Sequence, residues 1–220
     1  MDYDGYSYCG HQTREAPIGL ATSLPRWPHK AITWRVDAHV PSIARDAYRA
    51  SVAEAFARWS RVCGIQPREV ESGRPANIVL GLQRERPGNV LADCQLPFAG
   101  ISATASLQMR VDTEEVWCIS DNPPRDRIDL TRVLCHELGH GLGCSHLGSS
   151  ALMAPTYSLR IATPQAEDIA QMVARYGQPV PVAEPEPPKS TPEGEAELLR
   201  ILNRGGKLFI RFADGREVQA

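Results

Sequence analysis

The chain has 220 residues, and its 24 Lys and Arg nearly balance 26 Asp and Glu, leaving a formal net charge of −2. With no basic cluster along it, nucleic acid is excluded as an expected partner. No apolar run reaches membrane-spanning length, and no internal repeat is visible.

The opening Met1-Asp2-Tyr3-Asp4-Gly5 has neither a charged n-region nor an apolar h-region, so no signal peptide is expected there, and residues 1–25 read as an N-terminal segment. Ile32, Trp34 and Val36 alternate with polar residues, as a half-buried strand should. Tyr48, Val52, Ala55, Phe56 and Trp59 recur at helical spacing and predict a core-facing stripe. Ile78-Val79-Leu80 is a short apolar run suited to a sheet interior. Leu130, Val133, Leu134 and Leu138 give a second helix a face to bury. Thr163-Pro164 marks the start of a third, with Ile169, Met172, Val173 and Tyr176 as its stripe and Gly177 as its stop. This order predicts an α+β fold, a twisted mixed sheet flanked by helices. Residues 178–194, rich in Pro and Glu, read as an extended linker. In residues 195–220 a short helix is expected over Ala196 to Leu202 and a strand over Lys207 to Phe212. Gly205-Gly206 and Asp214-Gly215 supply turns, and this tail is too short for a core of its own.

The chemistry is concentrated in His136 to His146, HELGHGLGCSH. Residues four apart share one helix face, so His136 and His140 can aim at one point. Glu137 sits beside that point but off the ligand axis, where it can handle the proton of a metal-activated water. Gly143 can take a positive φ, end the helix and return His146 as a third nitrogen ligand. Three protein ligands leave a fourth position open, which distinguishes a catalytic zinc from a structural one. A bare HExxH arises by chance in helices; the extended HExxHxxGxxH is far more specific. Ala151-Leu152-Met153-Ala154-Pro155 follows, with Met153 seven residues after His146. The six cysteines are Cys9, Cys63, Cys94, Cys118, Cys135 and Cys144, an even count that suits an exported, disulfide-bearing protein and leaves the pairing open. Cys94 and Cys118, which flank the sheet segment before the second helix, are expected as one pair. Cys135 and Cys144 read as packing or disulfide residues, because a fourth protein ligand would close the metal site.

These residues resemble the matrixins (the matrix metalloproteinases) within the metzincins, whose motif reads HELGHxLGxSH followed by a Met-turn of the form ALMYPxY. The likeness runs with gaps from about Arg26 to Gly177 and takes in Arg26-Trp27, Ala47 to Trp59, Ala76 to Leu80, Val90-Leu91-Ala92, Val111 to Trp117 and Asp168 to Gly177. It implies a metzincin-like catalytic domain over residues 26–177: a twisted mixed five-stranded sheet, three main helices and a Met-turn at Met153. It also implies one catalytic zinc on His136, His140 and His146, Glu137 as general base, and a protein or peptide substrate. Substrate would lie along an edge strand at Leu91 and Ala92, with Pro155 to Tyr157 walling the pocket for the residue after the cleaved bond. Arg132 matches a position at that pocket's base, where a long side chain predicts a shallow pocket preferring small or medium apolar residues. Asp112 and Glu115 match two calcium ligands, with Glu85 as a third; a solvated acidic loop is the other reading of these carboxylates. Asp93 and Arg110 stand where the family has histidines of a second, structural zinc, so that site is expected to be absent. Cys9-Gly10 lies close to where the family's pro-segment carries a Cys-Gly whose thiolate blocks the zinc. Tyr8 and Thr13 depart from that motif, and a disulfide partner or a free thiol is the other reading of Cys9. The resemblance further implies an extracellular protein, and a monomer is expected. A non-catalytic, zinc-stabilised module that binds a peptide or partner is the alternative to a zinc endopeptidase; intact Glu137 and the open fourth position weigh against it.

Overall fold

A computed structural model describes residues 26–84, 90–98, 100–180, 198–204, 207–212 and 217–219. Cys9, Glu85 and most of the linker lie outside them. The chain divides into two compact units, one ending at Val180 and one beginning at Pro181.

The first unit is built on a mixed sheet of β1 (Ala31–Val36), β2 (Gln66–Glu69), β3 (Ile78–Gln83), β4 (Ala92–Cys94) and β5 (Leu107–Asp112), in the order β2-β1-β3-β5-β4. All neighbours are parallel except β4, which runs antiparallel to β5 and forms one edge. The expected alternation in β1 holds, with Ile32, Trp34 and Val36 buried. On helix α1 (Arg45–Ser60) Tyr48, Val52, Ala55, Phe56 and Trp59 are all buried, and Phe56 stacks on Trp34 with ring centroids 5.5 Å apart. Helix α2 (Leu130–Gly141) is continued from a two-stranded ribbon of β6 (Trp117–Cys118) and β7 (Ile128–Asp129). Every one of its 12 residues is buried. Asp129 caps it by accepting from the Arg132 amide at 3.0 Å.

Two features bring α2 close to its neighbours. A Cβ on Gly139 would collide with Met153 Sδ and come within 2.9 Å of Trp59, so only glycine allows this approach. The Trp59 indole also donates to the Cys135 carbonyl at 2.8 Å, bonding α1 to α2 directly. At the other end the last carbonyls of α2 lack intrahelical partners, as at any helix terminus. The Trp27 indole donates to Gly141 O at 2.9 Å, and the Tyr176 hydroxyl donates to Leu142 O at 2.7 Å. Tyr176 belongs to the closing helix α3 (Ala166–Tyr176), which Gly177 ends at φ +77°.

Several expectations are corrected. β2 was not foreseen, because Gln66-Pro67-Arg68-Glu69 is polar and half exposed; it is recruited as an edge by pairing with β1, and edges tolerate proline. The third helix starts at Ala166 and not at Thr163-Pro164, because Asp168 accepts from the Gln165 amide and makes Gln165 the cap. The edge strand spans Ala92–Cys94, two residues later than Val90-Leu91-Ala92, because its register places Ala92 opposite Val111. Cys118 carries a free thiol, so no disulfide joins it to Cys94; the two lie on separate sheets. In the second unit, Leu198–Arg204 is a strand (β8) where a helix was expected over Ala196 to Leu202. It pairs antiparallel with β9 (Lys207–Phe212), which pairs with β10 (Glu217–Gln219). Arg204 sits opposite Lys207, a two-residue hairpin register, and cross-strand pairing overrides the local preference for helix.

Removing the Tyr176 hydroxyl leaves Leu142 O and the Trp27 amide, bonded to it at 2.7 and 3.3 Å, without that partner. Tyr176→Phe is therefore expected to lower stability by about 1–2 kcal/mol, measured by denaturant unfolding. An unchanged midpoint would mean that these groups find equivalent partners.

Candidate active site

The helical repeat and the turn at Gly143, which takes φ +97°, bring three imidazoles together. Ring centroids of His136 and His140 lie 4.9 Å apart, His140 and His146 4.7 Å, and His136 and His146 5.5 Å. One nitrogen from each lies within 4.8 Å of the others, the only such group of three among the described residues. His136 and His140 are fully buried and His146 is half-buried.

Backbone carbonyls choose the tautomers. His136 Nδ1 lies 2.9 Å from Leu152 O and His140 Nδ1 lies 2.8 Å from Cys144 O. A carbonyl only accepts, so both Nδ1 atoms carry the proton and both Nε2 atoms keep a lone pair for a metal. Burial, and then the charge of His140, hold His136 well below the ordinary imidazole range, so it is neutral and ligand-competent. The donor set of three imidazoles suits zinc.

Glu137 tests that fit independently. Its side chain is fully buried, and neither carboxylate oxygen is hydrogen-bonded to a described residue. His136 Nε2 lies 4.0 Å from its Oε1. Burial, and then the charge of Asp93, push its pKa well above the usual carboxylate range. A buried carboxylate left this way is destabilising. It stands beside the first imidazole of the cluster all the same.

The support behind the triad comes from a residue given no role by the motif. Asp168, fully buried on α3, accepts from the amides of Leu152 at 2.8 Å and Met153 at 3.1 Å, besides that of Gln165 at 2.7 Å. The Leu152 carbonyl in turn holds His136. One carboxylate thus clamps the turn that orients the first imidazole. Its only sequence signal was the capping pattern Gln165-x-x-Asp168. Met153 itself is buried, packs its thioether on α2 at Gly139, and accepts from the Leu147 amide at 2.9 Å through its carbonyl.

The remaining candidates fall in distinct places. Leu91 and Ala92 are buried at the sheet edge, where Leu91 O accepts from Asp112 N at 3.0 Å. β5 is the only strand partner of β4 among the described residues. Arg132 and Tyr157 are brought together, the guanidinium 5.7 Å from the ring centroid, and both are buried, whereas Pro155 is exposed. Asp112 and Glu115 are both buried at the end of β5 and in the turn after it; Glu85 is outside the described residues. Asp93 and Arg110 sit directly opposite across β4 and β5 and form an ion pair, Nε to Oδ1 at 3.0 Å. Cys144 and Cys63 are buried, and burial pushes their thiols up to about 12 and about 11, so both stay protonated and pack in the core.

A parallel-dominated sheet with an antiparallel edge, a buried HExxHxxGxxH helix and a methionine turn beneath it define a metzincin-type metal centre. The chain belongs to the matrixin family, whose model matches residues 26–177. It is 31% identical to stromelysin-3 of Mus musculus over 165 residues, 70% of this chain and 32% of that protein. It is 32% identical to interstitial collagenase of Sus scrofa over 152 residues, 64% of this chain and 30% of that protein. With matrix metalloproteinase-C of Caenorhabditis elegans it shares 26% identity over 194 residues, 78% of this chain and 32% of that protein. The chain thus spans about a third of the length of these curated relatives.

Two outcomes follow from the geometry. Asp168→Asn replaces an acceptor oxygen with a donor facing backbone amides, and is expected to weaken zinc binding about tenfold in competition with a chromophoric chelator. Unchanged affinity would mean that the turn holds His136 without it. Glu137→Gln removes a buried group whose folded pKa is raised above its unfolded value. The folded state then keeps its proton while the unfolded state loses it, so the wild type loses stability as pH rises above about 4.5. The metal-free glutamine variant is expected to be more stable than metal-free wild type by roughly 1 kcal/mol or more near pH 7, and by less near pH 4. An advantage independent of pH would refute this origin.

Proposed function

We propose that this chain is a zinc-dependent endopeptidase that hydrolyses an extended polypeptide, with His136, His140 and His146 as zinc ligands and Glu137 as general base. The observation that carries the reading is Glu137, a fully buried carboxylate with neither oxygen hydrogen-bonded to a described residue, beside a cluster of three imidazoles. A module that only bound zinc for stability would gain nothing from this unfavourable burial.

When bound, zinc supplies a Lewis acid for the scissile carbonyl and lowers the pKa of a water. Glu137 accepts the proton of the attacking water and passes it to the departing amine. Burial raises its proton affinity, as a base working near neutral pH requires, and the metal's positive charge opposes that rise. An extended substrate pairs with the free edge of β4 beside Leu91 and Ala92, and backbone hydrogen bonds set its register. Pro155 to Tyr157 wall the pocket for the residue after the cleaved bond, and Arg132 lies at its base.

The wider organisation follows the family. Residues 26–177 are the catalytic domain, 178–194 a linker, and 195–220 a tail of unassigned role. For residues 1–25 two readings stand: a short pro-segment in which the Cys9 thiolate would block the zinc, or a segment whose Cys9 is a disulfide partner or a free thiol. The family likeness makes Asp112 and Glu115, with Glu85 as a third, calcium ligands, and a solvated acidic loop is the other reading of these carboxylates. The protein acts outside the cell as a monomer.

The deciding measurement is cleavage of a quenched-fluorescent peptide library by the zinc-loaded protein and by Glu137→Ala at equal zinc content. Activity is expected to fall at least about 10²–10⁴-fold in the variant and to vanish with chelator. Cleavage is expected to favour small or medium apolar residues after the scissile bond. Retained activity in Glu137→Ala would remove the proposed base, and a preference for large aromatic residues would remove the shallow pocket.

A further inference from the structure

Two buried arginines converge on the same irregular stretch of chain from different helices. Arg132 on α2 donates from Nη1 to Ser158 O at 2.6 Å and from Nη2 to Asp121 O at 3.3 Å. Arg58 on α1 donates from Nη1 to Ala162 O at 2.7 Å, and its Nη2 lies 4.0 Å from the Asp121 carboxylate. Its Nε donates to Glu54 Oε1 at 3.2 Å, one turn back on α1. The two guanidiniums are 1% and 9% exposed, Arg132 and Arg58 respectively. Ser158 to Ala162 carries no helix or strand, and it directly follows Tyr157, whose hydroxyl accepts from the Asp129 amide at 3.0 Å.

Burying a guanidinium is unfavourable unless its donors are used. Here one fork serves each end of a five-residue segment, and both reach Asp121 on the loop between β6 and β7. Loop carbonyls left without partners would otherwise turn to water and let the segment move. A planar fork holds two acceptors in fixed relative positions, which lysine cannot do. Leu159 and Ile161, between the two anchors, are half-buried against the core, so fixing the carbonyls also fixes these side chains.

We propose that Arg58, a residue of α1 outside the catalytic motif, is a specificity-determining positioning residue: with Arg132 it pins Ser158–Ala162 and so limits the size of the side chain accepted after the cleaved bond. The inference rests on the endopeptidase reading above and on Pro155 to Tyr157, which Ser158–Ala162 directly continues, walling that pocket. Arg58 touches no substrate; it acts through the segment it holds. Loosening one anchor lets the wall retreat and admits larger residues while Glu137 and the three histidines keep their places.

The test compares wild type, Arg58→Ala and Arg58→Lys at matched zinc content, on peptides differing only in the residue after the scissile bond, from alanine through leucine to tryptophan. Hydrogen exchange of residues 158–162 is followed alongside. Size discrimination by an apolar pocket spans roughly 10–200-fold, and the small-over-large ratio of kcat/KM is expected to fall about tenfold in Arg58→Ala. Arg58→Lys, which keeps the charge but loses the fork, should fall between and carries the test should the alanine variant fail to fold. Exchange at 158–162 should accelerate in both, with α2 unchanged. An active wild type whose size profile is the same in the variants overturns the proposal, whether or not exchange accelerates, because the clamp would then be structural only. A zinc-loaded wild type that cleaves none of the peptides, with Cys9→Ala equally silent, overturns the endopeptidase reading itself and the specificity role with it.

Discussion

The constraint on which the rest depends is the complete burial of α2. A helix hidden on every side is ordinarily apolar, yet this one carries two imidazoles and a carboxylate among its 12 buried residues. Burial holds His136 neutral, carbonyls that accept from Nδ1 orient both rings, and Glu137 is held in a setting that favours its protonated form. The helix is held there by bonds to its backbone at both ends and in the middle. Asp129 caps its start, Trp59 donates to its middle, and Trp27 and Tyr176 donate to the carbonyls at its end.

That enclosure explains why the metal centre draws residues from every part of the unit. The turn through Leu152 and Met153 orients His136, and Asp168 on α3 holds the turn. The glycine at 139 lets the methionine and Trp59 approach the helix, so backbone and thioether form the floor beneath the ligands. Precise ligand placement of this kind depends on a supporting layer whose own conformations are locked by packing and hydrogen bonds. The sheet contributes differently, presenting β4 as an edge whose far side has no strand among the described residues. The imidazole cluster and this sheet edge therefore rest on separate elements.

How much of this was legible in the sequence depends on the range of the interaction. The stripe on α1, the alternation in β1 and the turn at Gly143 were readable because each is set by contacts within a few residues. β2 was missed because a polar edge has no apolar period, and β8 was misassigned because a short Leu-rich run suits helix and strand equally until a partner strand is present. Cys94 and Cys118 were paired on the strength of position along the chain, and the structure puts them on separate sheets. Arg132 was identified as a long charged side chain at the base of a pocket; where its charge goes, onto the carbonyls of Ser158 and Asp121, was not readable.

The sequence by itself determined the donor set and its spacing, since a helix places residues four apart on one face whatever surrounds it, and a glycine with φ +97° can return the chain for the third imidazole. It also determined which residues seek the core, since that follows from their own transfer free energies. Only the tertiary structure decided which nitrogen of His136 and His140 carries the proton, that Asp168 stands behind the Met-turn, and that Arg58 meets Ala162. Those outcomes depend on partners up to 104 residues apart in the chain, as Arg58 is from Ala162, and no local pattern of residues encodes which distant carbonyl a buried donor will find.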